Sequence, residues 1–174
     1  MPTIFEIKAT LQGSRPEIFR LLHVPGNVSL QLLHEIFQAA FLWDNYHLHF
    51  FQRDDGSDIK KEDLVALNQV ISSGGHLKYV YDYGDSWTIC ISLQRTFTDN
   101  DGSKYPVCIG GARHAPPEDS GGITGYEMAL ELISKHVKGQ RDYSLITEWY
   151  GVDYDPEYFS IEEVNRRLDS ILKF

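Results

Sequence analysis

Along the first eleven residues apolar and polar side chains alternate. Phe5, Ile7, Ala9 and Leu11 fall on one side and Ile4, Glu6, Lys8 and Thr10 on the other, the period of a strand with one face in a core. Gly13-Ser14 is a turn signal, and residues 17–24, EIFRLLHV, form a short run between Pro16 and Pro25-Gly26 that reads as a second strand. At Ser29 the period changes. Leu30, Leu33, Phe37, Ala40 and Phe41 recur at helical spacing behind a serine cap, predicting a helix to about Phe41. Residues 46–51, YHLHFF, return to strand, DDGSD makes an acidic turn, and residues 62–72 suit a short helix stopped by Gly74-Gly75.

In residues 76–83, HLKYVYDY, the side chains Leu77, Tyr79, Tyr81 and Tyr83 share a face. After Gly84-Asp85-Ser86, residues 87–96 place Trp87, Ile89, Ile91 and Leu93 together. A turn signal between two alternating runs predicts a β-hairpin. The polar segment TDNDGSKYP follows, and the stretch from Cys108 to Ile123, containing HAPPEDSGG, reads as a loop. Thr124 and Glu127 have capping-box spacing ahead of a stripe of Tyr126, Ala129, Leu130, Ile133 and Val137 that ends at Gly139. Residues 142–149 suit another helix. Ser160 and Glu163 repeat the capping box before Ile161, Val164, Leu168 and Ile171, with Glu162–Arg166 and Glu163–Arg167 as i,i+4 pairs. Strands first and helices last indicate an α+β fold over residues 1–174. The expectation is one domain, with a mixed or antiparallel sheet of about five strands, one helix packed early and further helices in the C-terminal half.

Charge narrows the classes of function. The formal net charge is -9, with 25 acids against 16 bases, so nucleic acid is an unfavoured partner for want of a basic surface. No apolar run approaches the ~18 residues of a membrane span. MPTIFEIKAT lacks the basic start and long apolar stretch of a secretory signal. Cys90 and Cys108 form no CxxC pair, so the expectation is a cytoplasmic protein with two reduced thiols.

Candidate chemistry gathers around eight residues. His47 and His49, two apart in a predicted strand, would face the same way, and a shared metal would need further ligands. Asp82, Asp85, His114, Glu118 and Asp119 are the available donors, with His47, His49, Glu118 and Asp119 as the metal candidates. Such a carboxylate-rich set suits a divalent ion acting on phosphate esters. Each residue also has a scaffold role open to it. The histidines can bond neighbouring backbone, Asp82 and Asp85 suit a tight turn, Trp87 fills a core, and Glu118 and Asp119 can close their own proline-stiffened loop. Gly121, Gly122 and Gly125 before a helix resemble an anion site, but no GxxxxGK[ST] accompanies them. DNDGS at 99–103 places its glycine wrongly for an EF-hand and reads as a turn.

Four segments, LLHEIFQAAFLWDNYHLHFF, YVYDYGDSWTICISL, YPVCIGGARHAPPEDSGGITGYEMAL and DPEYFSIEEVNRRL, together resemble the Ri-plasmid open-reading-frame-three-like family. Its members are also labelled insertion-element passenger proteins or TnpR, a resolvase name. The resemblance runs from about Ile4 to Leu168 and implies a compact α+β domain of unestablished activity. Two positions depart from the family pattern: Ile89 stands where a histidine is frequent, and Ala115 where a cysteine is frequent. A serine recombinase needs an activated serine among arginines and a basic DNA-binding module, and the acidic chain offers neither. Two functions are therefore expected. One is a non-catalytic interaction module of mobile-element or plasmid type, engaging a protein partner through Tyr81, Tyr83, Trp87 and the 114–122 loop. The other is a metal-dependent enzyme using the His/carboxylate set on phosphate-containing substrates.

Overall fold

The alternation of the first strand places it in the middle of the molecule. In the computed structural model, which describes residues 2–135 and 141–171, the strands are β1 (Thr3–Leu11), β2 (Phe19–Pro25), β3 (His49–Arg53), β4 (Asp58–Ile59), β5 (His76–Tyr81), β6 (Trp87–Thr98) and β7 (Val107–Ala112). They form one sheet in the order β4-β3-β5-β6-β1-β2-β7, and every pairing is antiparallel. The fold is α+β, as the pattern implies, with seven strands where about five are expected. β4 is only two residues long. β7 lies in the stretch read as loop, because Gly110 and Gly111 interrupt the alternation that would have marked it. Gly111 is required there, since a Cβ would stand 2.6 Å from the ring of Phe159 and 2.7 Å from the carbonyl of Phe19.

The helices α1 (Leu30–Ala40), α2 (Leu67–Val70), α3 (Gly122–Ser134), α4 (Arg141–Tyr150) and α5 (Ile161–Ile171) complete the described chain. Ser29 caps α1 by accepting the Leu32 N–H at 3.2 Å, worth about 1 kcal/mol. Leu30, Leu33 and Phe37 are fully buried on α1, and they join Ile7, Leu77, Tyr79, Ile89 and Ile91 from the sheet in one core. Each such side chain contributes about 1.5–3 kcal/mol on burial. α5 packs against α1 and the edge strand β7. There Asn165 accepts the Cys108 N–H at 2.7 Å and donates to the Cys108 carbonyl at 3.0 Å, standing in for a neighbouring strand.

Three local expectations change. β3 begins at His49, so His47 lies in the bend before the strand and does not share its pleat. α3 starts three residues early, behind Gly121 at φ 80°, and Thr124 falls inside it. Ser160 does cap α5, accepting the Glu163 N–H at 3.2 Å, but Arg167 turns away from Glu163 to the Trp43 carbonyl and Asp44. Val137 and Gly139 lie outside the described residues. Among those described, no helix is long and apolar enough to cross a membrane.

Candidate metal centre

The β5–β6 turn sets the floor of the site. Asp82 adopts φ 61° and Ser86 φ 54°, conformations that Asp tolerates because its side chain bonds locally. Here Asp82 Oδ1 accepts the Gly84 N–H at 2.9 Å, and its backbone N–H donates to the Leu48 carbonyl at 2.9 Å. One carboxylate oxygen is thus committed to the turn. The other, Oδ2, faces His47 Nε2 at 3.7 Å.

The proline-stiffened loop lies directly against this turn. Trp43 donates its ring N–H to the Pro116 carbonyl at 3.0 Å, and Trp149 donates to the Glu118 carbonyl at 3.2 Å. Both oxygens of Glu118 are occupied: the Tyr81 hydroxyl donates a short hydrogen bond to one, and the Asp44 N–H donates to the other at 2.9 Å. Burial, and next the Glu118 carboxylate, push the Tyr81 hydroxyl well above the usual tyrosine range, so it stays a donor. Asp85 reaches across to accept the Gly121 N–H at 3.0 Å, which puts a carboxylate at the N-terminus of α3, where the helix dipole favours it. Gly122 makes that approach possible, with φ 67° and a hypothetical Cβ only 2.6 Å from the Asp85 carbonyl oxygen. The glycine pair thus serves docking of the loop and has no need of an anion.

Asp119 sits between these anchors at φ 56°, half its side chain in solvent, with Oδ1 3.2 Å from His47 Nε2. His47 Nε2 is shielded from water, and neither carboxylate is aligned to give it a proper hydrogen bond. One donor atom each from His47, Asp82 and Asp119 lies within 4.8 Å of the others. Two donors each ~2.1 Å from one ion stand roughly 3.0–3.4 Å apart at octahedral to tetrahedral angles, and the two imidazole–carboxylate distances of 3.2 and 3.7 Å lie in or near that range. No lysine or arginine among the described residues pairs with Asp82, Asp85, Glu118 or Asp119. The resulting negative field favours a cation. Leu42 and Asn45 join Asp82, Ser86 and Asp119 in taking positive φ on the chain around the cluster, and such strain concentrates where function holds the backbone.

Other expected residues lie elsewhere or do other work. His49 bonds Glu62 at 2.9 Å and stacks on His34. His114 donates Nδ1–H to the Ala115 carbonyl at 2.7 Å and packs on Tyr154, although it lines a groove of about 430 Å³ together with Glu118, Asp119 and Trp149. Trp87 is 1% exposed and Tyr81 is fully buried, so the aromatic surface expected of the hairpin reduces to Tyr83. Trp43, Asp44 and Trp149 lie outside the expected residues although they hold the loop, and Tyr81, expected as exposed partner surface, is a buried anchor of it. Their signal was the clustering of indole N–H and phenol groups, which need partners when buried, in a chain 13% aromatic.

Fold and site together define a single-sheet antiparallel α+β domain that carries an imidazole–carboxylate cluster between a hairpin turn and a proline-rich loop. The chain belongs to the plasmid pRiA4b ORF-3-like protein family, whose pattern matches residues 3–163. It is similar to the uncharacterized protein y4hQ of Sinorhizobium fredii, at 32% identity over 97% of this chain and 92% of that one. It is also similar to the crystal structure of MM3350 from Methanosarcina mazei Go1, a protein of unknown function, with a TM-score of 0.85 and 31% identity over 94% of this chain and 98% of that one.

Proposed function

We propose that the protein binds a divalent cation through His47, Asp82 and Asp119 and uses its open coordination positions to hold a ligand. The observation that carries this reading is the convergence of both carboxylates on a shielded imidazole nitrogen that lacks a well-directed hydrogen bond. One nitrogen and two carboxylate oxygens suit Zn²⁺ or Mn²⁺. Three protein ligands leave room for water or a ligand oxygen, the arrangement that lets zinc act as a Lewis acid. Glu118, fixed on both oxygens, positions the loop and is not a free base.

Isothermal titration of metal-free protein with Zn²⁺ and Mn²⁺ tests the centre. One ion per chain is expected, with affinity reduced roughly hundredfold or more by Asp119→Asn, since even partners behind the direct ligands are worth 10–100-fold. Asparagine tolerates the positive φ of position 119, so the variant folds. An unchanged isotherm removes the reading. A second reading, a surface for a protein partner, draws support from Tyr46, Leu48 and Tyr83, which are exposed beside the same cluster.

A further inference from the structure

A groove of about 690 Å³ runs between α3 and α4, within the ~300–1,000 Å³ typical of small-molecule sites. Met128, Leu132, Ile146 and Trp149 line its length, and Asp119, Ser120 and Gly125 form one end. Met128 is 61% and Trp149 58% exposed. Single exposed apolar residues are ordinary, but two large ones facing one concavity mark a surface that gains from being covered. Asp119 lines the groove and also faces His47 at 3.2 Å, so one carboxylate borders both the groove and the cluster. Among the described residues no lysine or arginine lines the groove, and Glu148 adds a second acid to Asp119. Among these lining residues a negatively charged head group finds no counter-charge, and a cation held by Asp119 would supply one.

We infer that the groove takes the apolar body of a small molecule whose oxygen-donor head completes the coordination of the cation. This rests on the cation reading above and names the ligand class that the reading leaves open. The head would displace water at the ion, and the body would cover Met128 and Trp149. Affinity would come from two terms that fail separately.

Two probes separate them. Protein whose cation binding has first been measured alone is titrated with 2-naphthohydroxamate, a chelating head on an aromatic body, and with acetohydroxamate, the same head without the body. The naphthyl probe is expected to bind at least tenfold more tightly, with the gain lost in Met128→Lys and cation affinity unchanged. Met128 is exposed, so this variant and Met128→Gln retain the fold. Equal affinities, or a gain that survives both variants, overturn the groove inference and leave the cation centre standing. Naphthyl binding that needs no cation overturns the coordinated head. No cation binding at the outset removes both readings. A wild-type dimer that Met128→Lys makes monomeric assigns the groove to a second copy of the chain and also overturns the inference.

Discussion

His49 stands two residues beyond His47, yet the two imidazoles meet opposite environments. The His49 ring lies on that of His34, with centroids 3.6 Å apart and planes 6° from parallel, and its Nε2 pairs with Glu62 at 2.9 Å. Buried His34 in turn meets the Tyr79 hydroxyl at Nδ1 (2.7 Å) and Asn45 Oδ1 at Nε2 (3.0 Å). Gln38 donates to the same hydroxyl at 2.8 Å and accepts the Asn45 N–H at 3.0 Å. Neutral His34 with its proton on Nε2 satisfies every one of these bonds. At His47, by contrast, two carboxylates approach one nitrogen without a properly directed bond. A saturated buried network specifies the fold, whereas a half-satisfied group at the surface is what a ligand completes.

Acid titration should break the comparison most strongly. Burial, and next the neighbouring His49, lower the His34 pKa to about 4, against about 6.5 in an unfolded chain. Between these values the unfolded state binds a proton that the folded state refuses. The stabilisation is therefore complete above about pH 6.5 and is lost as pH falls toward 4, to the extent of about 3 kcal/mol. Urea midpoints measured from pH 7.5 to 4.5 should fall accordingly, and His34→Gln should flatten the slope. An equal slope in the variant assigns the acid sensitivity elsewhere.

Tyr79→Phe comes next. It leaves His34 Nδ1 and the Gln38 amide without a buried partner, costing about 2 kcal/mol in denaturant unfolding, while cation affinity stays unchanged because Tyr79 is absent from the cluster. Glu118→Gln should cost about 1 kcal/mol, since the single amide oxygen can accept from only one of Tyr81 and Asp44 and the NH2 group accepts from neither. The loop would loosen, and cation affinity would fall with it. Smallest in stability is Asp119→Asn, expected to stay within about 0.5 kcal/mol of the parent at this exposed position, despite its large effect on cation binding. If that variant destabilised the fold as much as Tyr79→Phe, Asp119 would be a scaffold residue and the contrast between the two histidines would disappear.

The main elements were legible where one period ran uninterrupted. Phe5 to Leu11, the Leu77–Tyr81 and Trp87–Ile91 faces and the Ser29-capped helix all lie where the pattern placed them, because alternation and helical spacing report burial directly. β7 was hidden by its glycines, and the start of α3 by a cap that is not local: Gly121 is held by Asp85, thirty-six residues earlier in the chain. Of the eight candidate residues, the structure gathers His47, Asp82 and Asp119 at one point, gives Asp85 and Glu118 to docking the loop, and places His49, Trp87 and His114 in satisfied or buried surroundings.

The order of apolar and polar residues by itself determined the α+β class, the central hairpin and the supply of acids and imidazoles. Which acids meet which imidazole was decided only in three dimensions. The bend before β3 turns His47 away from His49, and the proline-rich loop folds onto a turn more than thirty residues distant. Periodicity records which face of an element is buried, but the direction of a side chain in a bend depends on backbone angles that neighbouring residues do not dictate.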